Sequence, residues 1–369
     1  MSWRYIAVRL DGAGGDVVVH PEVPISVTGL TDVLSGPPGL TGTVEAAYRS
    51  VLADDDGPLF QEWGTAIFAE RDGLIQPGGG IVQSAVPNTT GGLNIECVGY
   101  TGYPHGTPYT DEKTFVQVDA LDIYRSIWTH LQEKPRGNLG LTIDSTKAGV
   151  LLGTPTPLDD SGSDKEEGPF ELSWRVTKDL GSTVDDLAAH FDYHERHYWE
   201  GAVLKHHVDL GAPTIGTRRD DLGLVVGDNV WVLPTYASQN QEYADTVLAL
   251  GAGEGRDMVH GMVSRPGTRL RRVALVEDKG LGNNVNATRA ATINLAARNS
   301  QPSVSSLVVR DHPNAPISAI QLGDEYPYQD DLNEWIKPNT YVRVVSRTID
   351  PKRDDQATLT VVRSGSEAA

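Results

Sequence analysis

One segment constrains the fold more than any other. Asp119–Gly140, DALDIYRSIWTHLQEKPRGNLG, is a helical island between two long regions that read as strand. Asp119 is placed to cap a helix, and Asp122 puts a carboxylate on the first turn, where free backbone N–H groups point outward. Leu121, Tyr124, Trp128 and Leu131 fall at helical spacing and form one apolar stripe. Pro135 and Gly137 stop the helix and turn the chain. Leu139, Leu141 and Ile143 then alternate as a strand does. A capped amphipathic helix has to lay its stripe on something apolar, and the flanking sequence offers sheet.

Residues 1–113 read as short strands between glycine turns: Tyr5–Leu10, Val17–His20, Phe60–Glu70, Leu74–Val86 and Leu93–Tyr100, with a short helix over Thr43–Leu52. Asp72-Gly73, Gly78-Gly79-Gly80 and Gly91-Gly92 are the breakers. Residues 114–213 are mixed, with helices predicted over 119–133 and 182–195. The second starts at Ser182, with Asp185 as its capping partner and Val184, Leu187 and Phe191 as its buried stripe. The run Val203–Val208 leaves it as a strand, and Thr154–Gly168 is a polar loop. Residues 214–363 return to β. The strands there are Leu222–Val226, Val230–Leu233, Met258–Ser264, Leu270–Val276, Val304–Val309, Ile317–Leu322, Tyr341–Arg347 and Thr358–Val362. Helices are predicted over Glu242–Leu250 and Asn284–Ala297, and residues 364–369 form a polar tail. The expected fold is mainly β with α+β insertions: two β-barrel domains, 1–113 and 214–363, joined by the mixed domain 114–213.

Charge excludes some partners. The 369 residues carry a formal charge of −19, which repels phosphate, so binding nucleic acid by counterion release is not expected. Anionic membranes are disfavoured for the same reason. No apolar run reaches the roughly 18 residues of a membrane helix, and the first residues, MSWRYIAVRLDG, do not read as a secretory signal. With Cys97 as the one cysteine, neither an intrachain disulfide nor a cysteine-based zinc site can form. Cys97 reads as a buried strand thiol.

Candidate chemistry is sparse. His190, His194 and His197 would share a helix face, with His206 and His207 nearby, but the spacing is not that of a zinc-binding His-Glu-x-x-His. They read as surface or interface histidines. Gly251–Arg256, GAGEGR, lacks the third glycine of a dinucleotide fingerprint and reads as a helix C-cap. Asp54-Asp55-Asp56 has no calcium-loop spacing around it. Acidic pairs such as Asp159-Asp160 and Asp330-Asp331 have no fixed separation in sequence. No catalytic, metal or cofactor residue is assigned, and the chain is not expected to be an enzyme.

Asp119–Gly140 resembles the helix, Trp, Leu-Gln, Pro, Gly-Asn-Leu-Gly segment of minor tail proteins from long-tailed actinobacteriophages. Pro169–Trp174, Phe191–Trp199, Leu248–Arg256, Asn314–Asp324 and Tyr341–Asp350 continue the resemblance in order, from about residue 40 to 362. Such proteins are tail hubs, related to the baseplate hub of T-even phages. The resemblance implies a virion protein, assembled in the host cytoplasm and forming a homotrimer at the tail tip. Two barrels per subunit would build a pseudo-sixfold ring. Its implied partners are the distal tail protein, the tape measure protein and other minor tail proteins. Genome DNA would pass through without specific binding, along a lumen expected to be net negative. No stable membrane insertion is implied, and the end at Ala369 leads us to expect no appended peptidase or lysin domain. Two other readings stand beside it. A carbohydrate-binding tail protein would expose aromatics such as Trp63 or Trp335, which otherwise read as buried strand residues. A cell-wall hydrolase would need a pKa-shifted pair in a cleft.

Overall fold

The structure is a computed structural model that describes residues 3–55, 57–153, 169–237, 244–266, 270–277, 281, 283–297, 303–331, 340–353 and 355–363. It is mainly β, as the alternation predicts. One 13-stranded sheet dominates, with smaller sheets beside it. Its path runs Thr235–Ala237, Ser303–Arg310, Gln356–Arg363, Thr340–Ile349, Ser26–Val33, Gly39–Val44, Leu93–Val98, Leu74–Pro87, Thr65–Arg71, Trp3–Leu10 and Asp16–His20. The two ends of this path do not pair among the described residues, so the expected barrels are not closed. The N-terminal and C-terminal β regions instead meet edge to edge. Ser346 pairs with Val33 and Ile349 with Leu30, and Thr31 and Thr348 join hydroxyls at 3.1 Å across the seam.

The N-terminal strands are buried on both faces. Ile6, Val8, Phe68 and Ile81 pack into one core with the helical layer. Ala7, Ile67, Val82, Ile95 and Cys97 face a second core on the other side. Side chains alternate across a strand, so a run buried on both sides reads as nearly continuous hydrophobicity. Helix α1, Ala120–Glu133, forms as predicted: the Asp119 side chain accepts from the Leu121 N–H. Its stripe is sealed onto the sheet, with Leu121, Tyr124, Ile127 and Trp128 almost wholly buried. Each such side chain contributes roughly 1.5–3 kcal/mol. The Gln132 amide then bonds both Leu141 N–H and Leu141 C=O. That fixes the turn into the strand Leu141–Ile143, which pairs in parallel with Val203–Gly211.

Elsewhere the local reading needed correction. Helix α2 is shorter than predicted, Leu180–Leu187, and its cap is Asp179 rather than Ser182. The chain then extends into the strand Asp192–Glu200, where the helix was expected to continue. Residues 246–250 are a strand, not a helix. A five-residue apolar run has no usable period, so length and neighbours decide its state. This strand joins His260–Ser264 and Val273–Glu277 in a small sheet covered on one face by α3, Asn284–Ala297. Gly261 permits the contact, since a Cβ there would stand 2.3 Å from Thr288 N. Ile317–Leu322 holds a 3-10 turn, Ile317–Ala319, whose apolar side chains plug the C-terminal core instead of forming a strand. Of Val230–Leu233, only Val230 makes a β-bridge, and Thr43–Leu52 contains one 3-10 turn, Ala46–Tyr48, in place of a helix.

Candidate functional site

The densest cluster of titratable groups lies on the hairpin of Asp192–Glu200 and Val203–Gly211. The second strand forms where the run Val203–Val208 predicted one, whereas the first is polar at most positions, so hydrophobic alternation does not announce it. Because this is a strand, the predicted helix face of histidines does not exist. His190 precedes the hairpin, and His194 and His197, three apart, point to opposite sides. One face carries Glu195, His197 and His206, with His197 paired directly across from His206. The other carries His194, Arg196, His207 and Asp209.

The first face is sealed. Glu195 accepts the backbone N–H groups of Tyr100 and Thr101 and the Thr101 hydroxyl, each at 2.7 Å. Gly99 leaves the space, since a Cβ there would lie 2.8 Å from the carboxylate. His197 Nε2 stands 2.8 Å from Glu195, at an angle that makes the contact an ion pair rather than an aligned hydrogen bond. His197 Nδ1 meets His206 Nδ1 at 2.6 Å, and His206 Nε2 reaches Asp16. Phe68 and Tyr100 pack on both rings. A ring nitrogen facing a carboxylate needs its proton, and two facing nitrogens share one. Three protons on four ring nitrogens make one neutral and one cationic ring, set between two carboxylates. Burial pushes the Glu195 carboxyl up, but the His197 contact and the Thr101 donors outweigh it and hold it below its ordinary value. Burial holds His206 below its ordinary value against the pull of Asp16. Both shifts agree with a neutral His206 and an ionised Glu195.

The second face opens onto a cavity of about 520 Å³. There Asp32 takes His194 Nε2 at 2.8 Å and Arg347 at 3.4 Å. Burial lowers His194, but Asp32 outweighs it and raises it overall. Further along, His207 approaches Asp144 at 3.1 Å and Asp209 at 3.6 Å. These three could face a cation, yet each is already engaged. Arg196 holds Asp209, Leu210 N–H holds Asp144, and Thr142 meets His207 Nδ1 at 2.8 Å. Thr142 directs its own proton at the His206 carbonyl, so it accepts from His207 and is not activated as a nucleophile.

The remaining predicted residues are dispersed. Cys97 is a buried strand thiol as read, with burial pushing it well above the ordinary thiol range. GAGEGR follows a strand and leads into another, so it is a hairpin connection rather than a helix C-cap. It runs into a single 3-10 turn, Gly255–Asp257, and not into an α-helix, so it offers no phosphate cradle. Asp55 pairs with Arg9, which brings its carboxyl down to about 2. Asp330 receives the Tyr328 hydroxyl, and Asp331 the Gln329 amide. Asp56, Asp159, Asp160 and Trp335 lie outside the described residues. Trp63 is not the buried strand residue expected: it is 49% exposed. Glu195, Asp16 and Asp32 were missed, because sequence separations of 84 to 190 residues hide their partners.

No family profile and no curated protein matches the chain. Solved structures do. A 43 kDa tail protein of prophage MuSo2 from Shewanella oneidensis superposes with a TM-score of 0.58 at 11% identity, covering 98% of each chain. A tail protein from Neisseria meningitidis gives 0.56 at 12%, covering 99% of this chain and 97% of that one. Prophage tail protein gp18 from Listeria monocytogenes gives 0.50 at 10%, covering 97% and 94%. The fold of this chain is therefore one that phage tail proteins share over almost their whole length.

Proposed function

We propose that the chain is a structural protein of a phage tail, the hub subunit at the tail tip, and not an enzyme. The observation that carries this is end-to-end coverage: 98% of both chains align with the prophage MuSo2 tail protein. The likeness is to a whole protein, not to one widely reused domain. Two features support a role in assembly. The sheet over α3 leaves Met262, Val273 and Leu275 on its open side, each more than half exposed, an apolar patch of the kind that marks a protein interface. The hairpin binds its histidines into ion pairs and hydrogen bonds rather than leaving them free for substrate.

In this reading three copies form a ring from the domains 1–113 and 214–363, with 114–213 between them. The ring closes the tail tube, contacts the distal tail and tape measure proteins, and passes DNA along a net-negative lumen. Long-tailed actinobacteriophages are the proposed source, and the virion tail tip the proposed location. The test is labelling of intact particles with antibody against the chain. Label at the tail tip is expected; label along the tube or on the capsid would overturn the assignment.

A further inference from the structure

We propose that the cavity beside Trp63 binds a short neutral saccharide, an activity beyond the hub role and independent of it. The cavity measures about 640 Å³, within the roughly 300–1,000 Å³ typical of small-ligand pockets. It forms where the end of the first strand, the turn before Thr65, the loop after Tyr100 and the turn after α1 converge.

Two residues on its wall adopt left-handed backbone, Trp63 at φ 58° and Arg136 at φ 64°. Such a conformation costs a non-glycine residue on the order of 1–3 kcal/mol and gathers at binding and catalytic sites. At Trp63 the surrounding turn enforces it. Trp63 N–H is held by Val82 C=O at 2.8 Å, while Gly64 and Thr65 both donate to Gln61 C=O. The indole is thereby set at the cavity instead of in the sheet core. A large aromatic held half-exposed by its own backbone offers a flat apolar face, and the C–H face of a sugar ring stacks on such a surface. Tyr103 lines the same space.

The polar groups fit hydroxyls rather than charge. Arg9 is neutralised by Asp55, two nitrogens to two oxygens at 2.9 Å. Asp11 and Arg136 both line the cavity as one carboxylate and one guanidinium, without pairing with each other. The Arg136 guanidinium has no hydrogen-bond or ion-pair partner among the described residues. Gln61 adds an amide. Planar carboxylate, amide and guanidinium groups around an aromatic floor match the paired donors and acceptors of vicinal hydroxyls. The formal charges of Arg9 and Arg136 are balanced by those of Asp55 and Asp11, so a phosphate or sialic acid would meet a wall of no net positive charge and give up its hydration for one guanidinium alone.

The test is titration of the full chain with neutral oligosaccharides of two to four hexose or pentose rings, followed by ligand-observed NMR. Sialyllactose and inorganic phosphate serve as anionic controls. At least one neutral oligosaccharide should bind, and Trp63→Ala and Arg136→Ala should each weaken it about tenfold or more, as loss of an anchoring contact does. Both residues are at the surface, and melting curves of the variants confirm that they fold. No neutral binder in the panel, binding of the anions alone, or affinity unchanged in both folded variants would overturn the proposal.

Discussion

The two faces of the hairpin 192–211 carry the same residue types and put them to different use. On one face, Glu195, His197, His206 and Asp16 form a closed chain with almost no access to water. On the other, His194, His207 and Asp209 sit partly exposed, and His194 and Asp209 line a cavity. A buried ion pair tolerates no missing partner, because the remaining charge stays desolvated. An exposed pair exchanges its partner for water at little cost. The sealed face therefore locks the hairpin to the N-terminal sheet, while the open face tunes it.

The largest expected effect breaks the sealed face. Glu195→Ala leaves the Tyr100 and Thr101 N–H groups and a histidine charge unpaired, so unfolding in denaturant should show a loss of about 3–5 kcal/mol. His194→Ala removes one contact to Asp32, which keeps Arg347, so the same measurement should show a loss of about 1–2 kcal/mol.

Proton linkage separates the faces by sign. The folded pKa of Glu195 is depressed, so its contribution is present above the ordinary value of 4.5 and is lost as pH falls through the folded value. His206 is also depressed. Below 6.5 the unfolded chain takes up its proton more readily, so this group too destabilises the fold as pH falls. His194 is raised, so its contribution is complete below 6.5 and fades as pH rises through its folded value. Stability measured against pH should thus weaken on the acid side through the sealed face and on the alkaline side through the open one. His194→Ala should flatten the alkaline limb alone. The smallest effect belongs to Asp209→Asn, expected within about 0.5 kcal/mol of the parent because its ion pair with Arg196 is partly exposed.

The same contrast explains what the sequence disclosed. Helix α1 was legible because cap, stripe and terminator agree over more than twenty residues. The first strand of the hairpin was not, because YHERHYW is polar on both faces and its burial depends on Asp16 and Tyr100, which only tertiary structure brings near; the second strand was read from Val203–Val208. The strand 246–250 was misread because a short apolar run fits either state. The exposure of Trp63 was misread for a different reason: a left-handed backbone at a tryptophan leaves no sequence signature, and only the turn around it sets the indole at the surface.

The proposed assembly into a ring-forming hub is tested most directly by the mass of the purified protein in solution. Light scattering should give three times the 39.8 kDa of one chain. A stable monomer or dimer across the accessible concentration range would contradict the proposed trimeric ring.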